Sequence, residues 1–182
     1  MNIRHLYQPF NFENFKMKYQ REVVEELVFG NREVLENKPK ISVMIRTYNH
    51  CDYIKQALES VLSQKVNFEF EILLGDDQSN DGTREICIQY AKKYPEKIRL
   101  FLHRRANNFI IYDKITPTFM FSYNLYNCRG KYIAFLCGDD YWTDELKLQK
   151  QYDYLENNPD VSLCFQSVRK LELLYNGSEI EG

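Results

Sequence analysis

Two adjacent carboxylates, Asp139 and Asp140, follow a short apolar run and a glycine, and they are the residues whose types and spacing best suit chemistry. The run Tyr132–Leu136 is typical of a strand buried on both faces, as in a parallel sheet covered by helices. In an open α/β sheet, ligands bind outside the carboxyl ends of the strands. Two acids there, with Gly138 allowing close backbone approach, suit a divalent cation that carries phosphate oxygens. A polar turn is the plainer interpretation of Asp-Asp taken alone, so the rest of the chain must decide.

Two further polar clusters follow apolar runs. Ile41–Ile45 leads into Arg46–His50, and Phe68–Leu74 leads into Gly75–Asp81. Because the carboxyl ends of parallel strands share one edge of a sheet, we expect all three clusters to line one crevice.

Helical and strand patterns alternate along the middle of the chain. This alternation predicts βαβ units, and hence an α/β fold with a mostly parallel, Rossmann-like sheet flanked by helices. We expect Asp52, Asp81 and Thr143 to cap the helices that follow them. The predicted helices are Asp52–Ser63, Thr83–Tyr94, Thr118–Cys128 and Thr143–Asn157, and the remaining strands are Ile98–Leu102 and Val161–Val168.

The two ends of the chain differ from this middle. Residues 1–40 read as an N-terminal helical extension, with amphipathic helix over Phe15–Glu36 broken near Gly30, and helix-mediated self-association is one role for it. Residues 41–168 are the expected main domain. In residues 169–182, Leu171–Tyr175 followed by Asn176-Gly177 predicts the start of a hairpin.

The composition excludes several classes of protein. The chain has 182 residues and a net charge of -2, which leaves no electrostatic footprint for nucleic acid. No apolar run approaches the ~18 residues of a membrane span, and the N-terminus lacks a signal-peptide core. Five scattered cysteines without a C-x-x-C pair predict reduced thiols in a cytosolic protein. The phosphate-binding patterns G-x-G-x-x-G and G-x-x-x-x-G-K-[ST] are absent, which argues against a Rossmann dehydrogenase and a P-loop nucleotidase.

Four sequence blocks together carry a resemblance to a known family. They are ISVMIRTYN from Ile41, ALESVLSQ from Ala57, GDDQSNDGT from Gly75 and GKYIAFLCGDD from Gly130. In this order and spacing they resemble the family 2 glycosyltransferases over residues 41–168, and they match the donor-binding N-terminal half of such enzymes.

The resemblance implies a GT-A fold, a nucleotide-diphosphate-sugar donor, a Mg²⁺ or Mn²⁺ ion and inversion at the anomeric carbon, with UDP as the first choice of nucleotide. By position, Thr47 and Tyr48 should line the base and ribose pocket, with Tyr48 against the base. Asp77 should accept a hydrogen bond from the base. Asp139 should hold the metal on the diphosphate, and Asp140 should bind ribose or support the metal.

The chain departs from the family pattern at two positions. Cys137 stands where the family often has the first Asp of its D-x-D motif, and Arg46 stands where a proline is common. The family's general base lies far downstream of D-x-D, and residues 143–182 offer no convincing candidate. We therefore expect either the donor half of a longer enzyme, with residues 169–182 starting a truncated acceptor-side region, or a chain that binds donor without efficient turnover.

The sequence thus predicts a metal-dependent, inverting glycosyltransferase acting on a saccharide or lipid-linked acceptor for polysaccharide assembly. Its expected location is the cytoplasm, with the inner face of the membrane as one site of work. Two alternatives stay open at this point. One is a non-catalytic sugar-nucleotide-binding or assembly module, and the other is a flavodoxin-like nucleotide or flavin binder.

Overall fold

A computed structural model of the protein describes residues 24–27, 29, 38–169, 171–173 and 179–181. The strands are β1 Glu25–Leu27, β2 Ile41–Thr47, β3 Phe70–Asp76, β4 Ile98–Leu102, β5 Phe109–Ile111, β6 Lys114–Thr116, β7 Tyr132–Cys137, β8 Leu171–Leu173 and β9 Glu179–Glu181. The helices are α1 Ile54–Leu62, α2 Thr83–Lys93, α3 Thr118–Tyr126 and α4 Lys147–Asn157, and a 3₁₀ turn spans Arg105–Asn107.

A five-stranded sheet organises the molecule, in the order β1-β4-β3-β2-β7. Strands β4, β3, β2 and β7 are mutually parallel, and only β1 runs antiparallel, on β4. In register, Arg46 of β2 lies between Gly75 of β3 and Cys137 of β7. The three predicted polar clusters therefore share one edge of the sheet, and the predicted α/β fold is confirmed.

The two faces of the sheet bury alternate side chains, as the period of a strand requires. On one face, Val43, Ile45, Ile72 and Leu74 pack in a core that also contains buried residues of α1 and α2. On the other face a smaller core packs around α3, formed by Val24, Leu73, Phe101 and Phe119. Strands β2 and β3 are buried on both faces along almost their whole length, which explains their nearly continuous apolar sequence.

A buried carboxylate fixes the starts of the strands at the opposite edge. Glu71 of β3 accepts hydrogen bonds from Ser42 Oγ at 2.7 Å and from Arg129 Nη2 at 2.5 Å. Arg99 Nη1 lies 3.5 Å from the same carboxylate. Gly130 enters β7 against the backbone of Ser42, where a Cβ atom would overlap the Ser42 amide. These contacts fix the register of β7, which carries the acidic turn at its far end.

Two predicted helix starts were wrong. Helix α1 begins at Ile54 after Tyr53, without a side-chain cap, so Asp52 does not cap it. Helix α4 begins at Lys147 rather than after Thr143. The N-cap residue of α2 is Gly82 rather than the predicted Asp81, although Asp81 Oδ1 accepts the backbone N–H of Thr83, the first residue of the helix, at 3.0 Å.

The predicted ends of the chain need correction. Residues 25–27 form strand β1, so the helix predicted over Phe15–Glu36 is wrong there, and the rest of residues 1–37, apart from 24 and 29, lies outside the described residues. Val161–Val168 is not a strand. The predicted hairpin is confirmed as the antiparallel pair of β8 and β9. Among the residues that the structure describes, none of the helices has the length and hydropathy to cross a bilayer.

Candidate functional site

The loops after β2 and β3 hold each other in place. Asn49 and Gln78 both have left-handed backbone conformations, with φ of 53° and 63°. The Asn49 N–H donates to Ser79 Oγ at 2.9 Å, and the His50 N–H donates to Thr83 Oγ1 at 2.8 Å. These hydrogen bonds hold the backbone of the loop after β2 against the loop after β3.

Asp77 is the buried carboxylate of this edge, with 1% of its surface exposed. Its oxygens accept Asn108 Nδ2 at 2.7 and 2.9 Å and Arg105 Nη1 at 2.8 Å. Burial raises the pKa of Asp77, and these donors oppose that rise only in part. Because burial disfavours the charged form of Asp77, this carboxylate is more easily explained by a role in function than by a contribution to stability.

Arg105 also covers Tyr48. The guanidinium carbon lies 3.6 Å from the centre of the Tyr48 ring, which is a close cation–π contact. One arginine thus joins the residue after β2 to the residue after β3. The structure brings Tyr48 and Asp77 together, as the sequence predicted, but with an arginine between them.

Asp76, the last residue of β3, anchors a buried polar network behind the site. Arg84 Nε donates to Asp76 Oδ2 at 2.5 Å, and Arg84 Nη2 donates to the His103 carbonyl at 3.1 Å. His103 Nε2 lies 2.8 Å from Asn124 Oδ1, and burial lowers the pKa of His103 to about 4. Gly75 leaves the space that Asn124 fills, because a Cβ atom there would overlap Asn124 Nδ2.

The end of β7 brings together three potential metal ligands. Cys137 Sγ and one carboxylate oxygen each from Asp139 and Asp140 lie within 4.8 Å of one another. The turn is held by the Gly138 N–H, which donates to the Arg46 carbonyl at 2.8 Å. Burial, and after it the charge of Asp139, raises the pKa of Asp140. Concentrated negative charge of this kind is what a cation would relieve.

Two polar atoms without partners face this turn. Thr47 Oγ1 and His50 Nδ1 are buried and have no hydrogen-bond partner among the described residues. A Cβ atom on Gly138 would lie 2.5 Å from the first and 2.9 Å from the second, so only glycine fits between them. His50 Nδ1 is 3.9 Å from Asp139 Oδ1.

The five residues predicted for the site, Thr47, Tyr48, Asp77, Asp139 and Asp140, all follow or end strands at one edge of the sheet. Sequence reasoning missed the residues after β4, Arg105 and Asn108. Their signal was available, because β4 is a predicted parallel strand and its carboxyl end must reach the same edge. The contribution of His50 depends on side-chain packing and had no comparable signal.

Comparison with known proteins gives this arrangement a context. Residues 42–111 match the family described as Glycosyl transferase family 2. TuaG of Bacillus subtilis, a candidate glycosyltransferase of teichuronic acid biosynthesis, is 35% identical over 119 residues, which is 65% of this chain and 42% of TuaG. The chain spans only 29% to 42% of the length of curated relatives such as these.

Solved structures share the fold. TarS of S. aureus, as residues 1–349 in complex with UDP, superimposes with a TM-score of 0.50 and 26% identity over 66% of this chain and 33% of that one. The mannosyltransferase PcManGT of Pyrobaculum calidifontis, in complex with GDP-Man and Mn²⁺, gives a TM-score of 0.52 and 17% identity over 79% of this chain and 39% of that one.

Proposed function

We propose that this chain, which belongs to the family 2 glycosyltransferases and has their GT-A fold, binds a nucleotide-diphosphate-sugar donor. The proposed reaction transfers the sugar of that donor to an acceptor hydroxyl. One observation carries the proposal. The edge of the sheet presents an aromatic ring with a buried carboxylate after β2 and β3, and an acidic turn after β7. In a nucleotide diphosphate, the base can contact the aromatic ring and the buried carboxylate. The charged diphosphate, with its counter-ion, can bind at the acidic turn.

Tyr48 and Asp77 are the proposed base-binding residues, with Thr47 beside them. A uracil ring offers an N–H that a carboxylate accepts, and a carboxylate oxygen that already takes one hydrogen bond, as Asp77 Oδ1 does from Asn108, can accept a second. Arg105 covers the Tyr48 ring, so stacking of the base on that face requires Arg105 to move aside. UDP is the first nucleotide to test, since TarS, at 26% identity, is known in complex with UDP.

Asp139 is the proposed metal ligand, supported by Asp140. Half of the Asp139 side chain is exposed, at 52%, so a diphosphate-bound ion can reach it. PcManGT holds Mn²⁺ but shares only the fold with this chain at 17% identity, so the proposal depends on the chain's own carboxylates. Oxygen ligands of this kind suit Mg²⁺ or Mn²⁺. When bound, such an ion stabilises the negative charge that develops on the departing nucleoside diphosphate.

The proposed reaction is a direct displacement with inversion at the anomeric carbon. It needs a further carboxylate as general base on the acceptor hydroxyl, and the described residues of α4 and beyond present no group that we assign to this role. We propose a saccharide or lipid-linked acceptor in cytoplasmic polysaccharide assembly, by analogy with TuaG.

The test is a calorimetric titration of UDP, GDP and dTDP into the chain with and without Mn²⁺, repeated on Asp139→Asn. The matched control is Asp144→Asn, because Asp144 is an exposed acid close in sequence that pairs with Lys150. We expect one nucleotide to bind with the metal, Asp139→Asn to lose that binding, and the control to keep it. Absence of binding for all three nucleotides, or equal binding by both variants, would overturn the proposal.

A further inference from the structure

The two-stranded ribbon of β5 and β6 exposes apolar side chains. The strands pair antiparallel, with Ile110 directly opposite Ile115. Ile110 is 71% exposed and Ile115 is 45% exposed, and neither belongs to the two cores that the described residues form. Apolar side chains that face water side by side indicate a surface that contacts another molecule.

The turn at the tip of the ribbon presents Tyr112 in an unfavourable backbone conformation. Tyr112 and Asp113 join the two strands with φ of 49° and 60°, the signs that a type I′ turn requires. Asn-Gly is the usual pair in such a turn, because a bulky residue rarely takes a positive φ. Tyr112 is 95% exposed, so packing against the described residues does not explain its place. Backbone strain of this kind clusters at functional positions.

The residue types of the ribbon suit the boundary between water and lipid. Isoleucine side chains can enter the acyl region, and a tyrosine ring is favoured at the level of the headgroups. A lysine can bury its aliphatic part and extend its ammonium group to the phosphates. The ribbon has all three, because Ile111, which is 49% exposed, lies opposite Lys114 near the tip.

The local charge favours an anionic surface. Residues 104–116 contain three arginines or lysines and one acid, Asp113, whereas the whole chain has a net charge of -2. Arg105 is already paired with Asp77, so the positive excess of this segment is small. We therefore expect apolar contact to supply most of the affinity, and charge to supply a preference for anionic headgroups.

A second copy of the chain fits this surface less well. The ribbon has only eight residues, 109–116, whereas a stable protein interface takes about 20–30 residues from each side. A two-fold contact between the exposed tips would also bring the Lys114 side chains of the two copies towards each other, and like charges repel.

We propose that the β5–β6 ribbon docks the protein on an anionic phospholipid surface, with Ile110, Tyr112 and Ile115 in contact with the lipid. The ribbon directly follows Asn108, whose side chain donates to Asp77 at 2.7 Å. A docked ribbon therefore holds the ligand-binding edge of the sheet close to the membrane. That this brings a donor site to a lipid-linked acceptor rests on the function proposed above, whereas the docking does not.

The test is flotation of the chain with phospholipid vesicles, in the absence of nucleotide. One vesicle contains phosphatidylcholine alone, and the other contains equal parts of phosphatidylcholine and phosphatidylglycerol. The variants are Tyr112→Asn, Lys114→Gln, and Ile110→Thr combined with Ile115→Thr, which keeps both side chains β-branched. The matched control is Tyr154→Gln, because Tyr154 is a tyrosine of α4 with a similar degree of exposure to the ribbon residues, at 52%.

We expect the chain to float with the mixed vesicles, and Lys114→Gln to bind them about fivefold more weakly. The double isoleucine variant should bind about tenfold more weakly or less tightly still. Tyr112→Asn should also lose affinity, yet its resistance to urea should be unchanged or higher, because Asn accepts a positive φ. Loss of binding in that variant is therefore not a folding defect, and Tyr154→Gln should bind as the unchanged protein.

Three results would overturn the inference: no binding to the mixed vesicles, equal binding to both vesicles, or equal binding by the unchanged chain and Tyr112→Asn. Sedimentation velocity without lipid tests the other occupant, since a dimer that Tyr112→Asn dissociates would assign the ribbon to a second copy instead. A titration of UDP in Mn²⁺ separates the docking from the proposed function. Vesicle binding without UDP binding supports the ribbon and removes the donor role, and UDP binding without vesicle binding keeps the donor role and overturns the docking alone.

Discussion

Replacement of Asp77 by Asn should separate binding from stability. Burial raises the pKa of Asp77 despite its contacts with Asn108 and Arg105, which means that the folded protein gains little from the charge. Asn keeps the shape and one acceptor oxygen, which can serve both Arg105 and Asn108, while its NH2 group replaces the oxygen that accepts the second Asn108 contact. Arg105, whose side chain is 29% exposed, recovers hydration. We therefore expect the free energy of unfolding to fall by no more than about 2 kcal/mol, most of it from the lost Asn108 contact.

Nucleotide affinity should respond much more strongly to the same change. The proposed bond from the base N–H to the Asp77 carboxylate is a charge-assisted hydrogen bond, worth about 1.5–3 kcal/mol. Its loss corresponds to a decrease in UDP affinity of about tenfold to 100-fold. Urea denaturation gives the first quantity and calorimetry in Mn²⁺ gives the second.

Asp81→Ala is the matched control, for which we expect the opposite result: a loss of stability with little effect on UDP affinity. Burial raises the pKa of Asp81, but hydrogen bonds from Thr83 and Cys51 outweigh burial and lower this pKa below its usual value. The folded state therefore favours the charged form of this carboxylate. Loss of this contact at the start of α2 should cost about 0.5–2 kcal/mol of stability and lower UDP affinity much less than Asp77→Asn does. The reasoning about Asp77 is refuted if Asp77→Asn destabilises the protein by more than about 3 kcal/mol or leaves UDP affinity unchanged.

The pH dependence of binding gives a further check on the same residue. Only the ionised carboxylate accepts the base N–H, and the raised pKa of Asp77 means that it takes up a proton at a higher pH than an ordinary aspartate. UDP affinity should therefore begin to fall at a higher pH than an ordinary aspartate would allow as the pH is lowered, and Asp77→Asn should lack this fall. The contribution of Asp77 to stability has the opposite sign, since a raised folded-state pKa favours folding below the unfolded pKa and loses that contribution as the pH rises.

Three further predictions concern the support of the site. Gly75→Ala should destabilise the protein by about 1–3 kcal/mol in urea denaturation, because its Cβ atom would displace the Asn124 amide. Gly130→Ala should cost about 3 kcal/mol or more by the same measurement, because its Cβ atom would overlap the Ser42 backbone, which cannot rotate away. Burial lowers the pKa of His103 to about 4, so its contribution to stability is present above the unfolded pKa of about 6.5 and is lost as the pH falls towards 4, by up to about 3 kcal/mol. Denaturation at pH 7 and pH 4.5 should show this loss in the unchanged protein, and His103→Gln should show a smaller one.

The central strands and their shared edge could be predicted because their signal is local. Strands β2 and β3 are apolar almost throughout, since both faces are covered, and β7 is apolar over Tyr132–Leu136. Polar residues follow each of them, and the parallel arrangement of a βαβ chain brings those residues together without further information. For this reason the three polar clusters could be placed at one edge from the sequence, whereas the choice of Tyr48, Asp77 and Asp139 within them came from the resemblance to the family 2 glycosyltransferases.

The errors arose where tertiary contacts decide the structure. Residues 25–27 carry a helical pattern, but they add antiparallel to β4, and Val24 packs with Phe101 and Phe119. Val161–Val168 alternates like a strand, yet it joins no sheet within the described residues. Arg105 reaches Asp77 and Tyr48 from a 3₁₀ turn in a segment whose sequence has no clear period. Contacts of this kind between distant segments do not appear in a local pattern.

Hydrogen–deuterium exchange with and without UDP and Mn²⁺ tests the central claim most directly, that the edge of the sheet is one nucleotide-diphosphate site. We predict increased protection in three separate stretches, residues 47–50, 77–82 and 138–142, with little change in α2 and β1. Protection of only one of these stretches, or of none, would contradict the account.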